Sequence, residues 1–229
     1  ASFDGMAHHL AHPMLYSANH KVYGMPHHFL SNYPALLEMQ YMTAMLLSGT
    51  PRLAKLVHFG FGLLVAWAIL AWARESLDDF WALAALSGFL LLPYVQLVSM
   101  WSYVDLGAAG YFTLAAFAVL GRPRPGRAAL VLRPCSGLAS LAGVLCGLSM
   151  GTKASGVFAP VLAACLLAAS RAPSRSWALF SAGCALPALW WGAKNWLLTG
   201  NPFMPFLSGF IPTLWWGQEN MARYAKELS

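Results

Sequence analysis

Asp4, Asp105, Lys153 and Lys194 are each the sole charge in a long neighbourhood. Asp105 is the only charge between Asp79 and Arg122, in a run otherwise built of Leu, Ala, Gly and aromatics. A charged side chain at the centre of a membrane helix costs roughly 2.5–3.5 kcal/mol, so such a residue normally has a task. A carboxylate can take a proton from an acceptor hydroxyl, and a Lys can hold a phosphate as a point charge. Acid and base at one membrane face therefore suit transfer of a group from a phosphate-bearing lipid. The structural alternative is that these residues form ion pairs or snorkel to the interface.

The histidines add a second constellation. Six of the seven lie in residues 1–52, and His8, His9 and His12 recur at helical spacing. His8 and His12 would share a face, which is the geometry of a metal pair. No HExxH accompanies them, and the nearest acid is Asp4. An interfacial polar segment explains the same pattern without a metal. The run ending at Lys153 is not a phosphate-binding P-loop, because Thr152 stands where that motif requires Gly. Cys135, Cys146, Cys165 and Cys184 form no CxxC and read as buried free thiols.

The elements that must position these groups follow from composition. Of 229 residues, 59% are hydrophobic and only 10% charged, against about 25% charged in soluble domains. With a mean hydropathy of +0.56, the expectation is an all-α, polytopic integral membrane protein. The net charge of +6 does not point to nucleic acid, because the basic residues lie in short runs between apolar segments. Six spans are expected, over about 53–73, 80–98, 106–120, 138–150, 156–169 and 177–198. A span needs roughly 20 residues, so the third, fourth and fifth are short unless their flanks are counted. Residues 1–52 form an outer loop with a helix running from Pro34 to Leu47, closed by Ser48-Gly49-Thr50-Pro51. That helix lies in the membrane interface or is a short buried element. Residues 53–198 form the bundle, and 199–229 lead toward a further part, since the chain reads as a piece of a longer protein.

Orientation comes from the connections. Arg122, Arg124, Arg127 and Arg133 crowd one, Arg171 and Arg175 another, and Arg74 a third. The positive-inside rule makes these three cytoplasmic. Residues 1–52, the turns at 99–105 and 151–155, and the tail from 199 then share the opposite side, which collects Asp4, Asp105 and Lys153. Lys194 falls near the outer end of the last span. Gly143, Gly147 and Gly151 repeat at helical spacing, a device for close helix packing. The tryptophans around 190–216 read as an interfacial belt, some of whose rings could stack on a sugar.

The motifs, in order, resemble a family. Asp4-x4-His9-Leu10-x2-Pro13-x2-Tyr16 is similar to the opening of the first outer loop in bacterial membrane glycosyltransferases of the GT-C superfamily. These are relatives of protein O-mannosyltransferases and of the aminoarabinose transferase acting on lipid A. Asn32-Tyr-Pro34-x3-Glu38 and Ser102-Tyr-Val-Asp105-Leu resemble the following motifs. So do Gly147-Leu-Ser-Met-Gly-Thr-Lys153 and Asn195-Trp-x3-Gly200-Asn201-Pro202-x2-Pro205. Two departures stand out: His8 replaces an aromatic residue, and Lys194 stands where Arg is common, losing bidentate phosphate binding.

The resemblance implies inverting transfer of a sugar from a polyprenyl-phosphate donor to a lipid, glycan or protein acceptor. It implies the outer face of a bacterial inner membrane as the place. On it, Asp4 is the base and Asp105 positions acceptor or base. Lys153 and Lys194 meet the lipid phosphate, and His9 and Glu38 support Asp4 or the sugar hydroxyls. Asn195 and Asn201 belong to the last matching motif as substrate-binding candidates. No cofactor is implied, and a divalent metal stays open. A transporter or flippase would use intramembrane Asp and Lys as well, although no inverted repeat is seen. A non-catalytic assembly partner of the same fold is the third class.

Overall fold

The computed structural model describes residues 5–26, 28–120, 136–215, 217 and 219–220. Every regular element among them is helical. A wide turn over Gly5–His9 leads into α1 (Ala11–Ala18) and, after a short 3-10 turn at Phe29–Asn32, into α2 (Leu36–Ser48). Then come α3 (Arg52–Ala73), α4 (Asp79–Leu91), α5 (Pro93–Ser99), α6 (Asp105–Leu120) and α7 (Ser136–Thr152). A 3-10 turn at Ala154–Val157 precedes α8 (Phe158–Ala169), and α9 (Ser174–Thr199) is the longest.

Helix ends follow local chemistry. Gly49 closes α2 in the left-handed region at φ 67°, its N–H bonded to the Met45 carbonyl. That conformation is costly for any residue with a Cβ. Helix α2 starts at Leu36 rather than Pro34, because Ala35 sits at φ −133°, outside the helical region. Asp78 caps α4 by accepting a hydrogen bond from the Trp81 N–H.

The expected continuous span over 80–98 is instead two helices, α4 and α5, bent by 61°. Pro93 is the cause. It has no N–H for the helical ladder, and it drives Leu92 into an extended conformation at ψ 120°. Among the described residues, α3 alone is long and apolar enough to cross a membrane by itself. The bent pair makes a second candidate if counted as one span. Helices α6, α7 and α8, at 16, 17 and 12 residues, are shorter than a full crossing. Helix α9 has 26 residues and runs unbroken through Pro187.

Two apolar clusters hold the helices together. The larger joins α6, α7, α8 and α9 through Ala115, Val119, Ala142, Cys146, Leu167 and Phe180. Here the glycine repeat packs backbone to backbone: a Cβ on Gly143 would lie 2.2 Å from the Phe180 carbonyl oxygen, and one on Gly147 2.4 Å from that of Cys184. The smaller cluster, Leu10, Leu37, Tyr41, Ala54 and Val104, seats the N-terminal segment and α2 on α3 and the approach to α6. Helix α2 therefore presents Leu37, Glu38, Tyr41 and Ala44 to the interior, while Leu46 and Leu47 at its end are exposed.

Candidate functional site

The smaller cluster underlies a cleft of about 370 Å³, walled by the first turns of the chain, α2, the entry to α6 and the break after α7. Of the residues singled out from the sequence, His8, His9, His12, Glu38, Asp105 and Lys153 line it.

Asp105 is the first residue of α6, where the helix dipole favours a carboxylate. Its Oδ1 accepts from the Lys153 ammonium at 2.7 Å and from the Tyr94 hydroxyl at 3.1 Å. Burial pushes the Asp105 carboxyl up, but the Lys153 ammonium and the Tyr94 hydroxyl outweigh it and hold it below its ordinary value. Lys153 reaches this position because it sits in an extended break between α7 and the next turn, at φ −151° and ψ 147°. Its side chain stays 43% exposed, so the ammonium keeps N–H donors for a ligand.

Position is transmitted to Asp105 by a residue that lies outside the outer loops and their motifs. His58 of α3 is fully buried and bridges the Trp101 carbonyl at Nδ1 and the Leu106 N–H at Nε2. Because the Leu106 N–H must donate, Nε2 accepts and Nδ1 carries the proton. The imidazole thus clamps the start of α6. On the other side the buried Tyr41 hydroxyl donates to the Tyr103 carbonyl. Burial and the nearby Glu38 and Asp105 carboxylates raise its pKa.

At the α2 wall, Glu38 Oε1 meets His9 Nδ1 at 2.8 Å, with both side chains largely buried. The His9 ring lies against those of His8 and Tyr103, at centroid distances of 3.9 and 5.8 Å. His12 lies beside His8 and packs edge-on to His28. Burial and the neighbouring histidines lower the His12 pKa to about 4, so its ring is neutral at neutral pH. Among the described residues no three His, Cys, Asp or Glu side chains are grouped to hold a metal ion.

The remaining candidates occupy other places. Asp4 lies outside the described residues. Lys194 borders a smaller neighbouring cavity, and its ammonium donates to the Ser31 carbonyl at 2.7 Å. Asn195 is fully buried, its amide donating to the carbonyls of Asn32 and Met204. Asn201 is likewise buried and closes a turn, accepting from the Phe203 N–H and donating to the Phe206 carbonyl. With Trp191, whose indole donates to the Asn32 carbonyl, Lys194 and Asn195 staple the Ser31–Asn32 backbone to α9. Ser31 in turn lines the cleft. Tyr94 is a cleft residue that no motif contains. Pro93 was the available signal for Tyr94, because a bend there turns the following residue out of a straight span.

Comparison with models of known protein families, with curated proteins and with solved structures found no match to this chain.

Proposed function

We propose that the protein is an inverting membrane glycosyltransferase using a polyprenyl-phosphate sugar at the non-cytoplasmic face of a bacterial inner membrane. The observation that carries this reading is the convergence of His9, Glu38, Asp105 and Lys153, from separate parts of the chain, on one cleft. Large apolar side chains that remain exposed on the helices, among them Trp67, Leu91, Leu186 and Leu197, support burial of those faces in lipid. On this reading the segments 53–73, 80–98, 106–120, 138–150, 156–169 and 177–198 make six spans, the shorter ones using their flanking residues.

The acceptor hydroxyl attacks the anomeric carbon from the face opposite the lipid phosphate. The new carbon–oxygen bond forms as the bond to the phosphate oxygen breaks, and configuration inverts. Asp4 takes the hydroxyl proton. The leaving lipid phosphate departs toward the Lys153 ammonium, which balances its charge. Asp105 holds Lys153 in place and helps position the acceptor. Lys194 and Asn195 act by holding the wall that carries Ser31, and Asn201 by closing the turn after α9. A transporter of a lipid-linked substrate is the second reading, favoured by the broken helix at Leu92–Pro93 beside Tyr94.

The test is sugar transfer by membranes carrying the full-length protein, supplied with labelled polyprenyl-phosphate sugars, wild type against Asp4→Asn. Transfer by the wild type that falls at least about 100-fold in the variant, at equal expression, is expected. Equal transfer removes Asp4 as base. Movement of the labelled lipid across the bilayer without transfer favours the transporter.

A further inference from the structure

Among the described residues, Glu38 and His12, which both line the cleft, each leave one buried polar atom unsatisfied. Glu38 Oε1 is engaged by His9, whereas Oε2 has no hydrogen-bond partner among the described residues, and neither has His12 Nε2. Both residues are 6% exposed and both line the cleft. Buried polar atoms are ordinarily paired, and leaving one unmade is costly. A binding group that supplies the missing partners therefore gains what the described side chains do not provide.

The chemistry of the two atoms narrows that group. A carboxylate oxygen accepts, so it calls for an O–H or N–H. The His12 ring, neutral at neutral pH because burial and its histidine neighbours hold its pKa near 4, suits a neutral hydroxyl. An anion would meet the Glu38 carboxylate, whereas Lys153 is an accessible cation of the cleft. The cleft volume of about 370 Å³ lies at the small end of ligand sites, roughly 300–1,000 Å³. We infer that Glu38 and His12 form a subsite for the uncharged, hydroxyl-rich ring of the sugar donor, while Lys153 takes its phosphate. The inference rests on the reading that this cleft binds a lipid-phosphate sugar, and adds which residues read the sugar and what charge it carries.

The experiment is equilibrium binding to the full-length protein in lipid nanodiscs. The probes are bare decaprenyl phosphate and its conjugates with glucose, mannose, galactose and glucuronic acid. At least one neutral hexose conjugate is expected to bind about tenfold more tightly than the bare lipid phosphate. The glucuronic acid conjugate is expected to show no such gain. Glu38→Gln and His12→Ala each remove most of the hexose advantage and leave affinity for the bare lipid unchanged. Lys153→Ala weakens all probes alike.

If wild type binds every hexose conjugate no better than the bare lipid, the subsite is overturned and phosphate binding stands. The subsite is also overturned if the glucuronic acid conjugate binds as well as the hexoses, or if both variants keep the full advantage. If no lipid phosphate binds, the underlying reading falls and this inference falls with it. Thermal unfolding of each variant establishes that it is folded. Should Glu38→Gln not fold, His12→Ala decides.

Discussion

Asp105 and Lys153 illustrate how a lone charge is made tolerable. Each would be an isolated ion beside an apolar helix, and together they form a 2.7 Å pair tied to Tyr94. Because the pair holds the Asp105 carboxyl below its ordinary value, the unfolded chain binds that proton at higher pH than the folded one. The stabilisation is therefore fully present above the ordinary carboxylate range and is lost as pH falls through the depressed folded value. Lys153→Ala should move the acid unfolding midpoint to higher pH. Near neutrality it should remove only about 0.5–1 kcal/mol, since Lys153 is partly solvated. Thermal unfolding between pH 3 and 7 reads both effects. An unchanged acid limb would mean that Lys153 does not hold the carboxylate.

At the scale of elements, the site depends on helices that approach more closely than most side chains permit. Gly143 and Gly147 of α7 face the carbonyls of Phe180 and Cys184 in α9, and α9 carries Lys194, Asn195 and Trp191, which hold the Ser31–Asn32 backbone. Gly60 on α3 faces open space. Gly147→Ala is expected to destabilise by about 1–3 kcal/mol through overpacking against backbone. Gly60→Ala, in a helix with room for a methyl group, should stabilise by about 0.4–1 kcal/mol. Thermal unfolding of the two variants compares them directly, and equal effects would contradict the close packing of α7 on α9.

At the scale of the molecule, the proposed topology puts the turn after α7 on the outer side and the connections after α3 and α8 inside. Ser155, Ser76 and Ser174 are exposed positions in these three connections. In a background lacking native cysteines, Ser155→Cys should react with a membrane-impermeant maleimide in intact cells. Ser76→Cys and Ser174→Cys should react only after permeabilisation. Labelling of all three from one side would overturn the six-span arrangement.

By itself the sequence determined the helical class, because long runs of Leu, Ala and Val with few charges leave the backbone no partner but itself. It also marked the end of α2 at Gly49, the break near Lys153 and the close-packing role of the glycine repeat, all local matters of backbone conformation and side-chain size. The break of the expected second span at Pro93 is equally local, although the apolar run on both sides of it is continuous. Tertiary structure alone decided the partners. Asp105 with Lys153, His9 with Glu38, and His58 with the entry to α6 are pairs joined only by the way helices pack. Composition can announce that a buried charge needs a partner, but the identity of that partner is a property of three-dimensional distance.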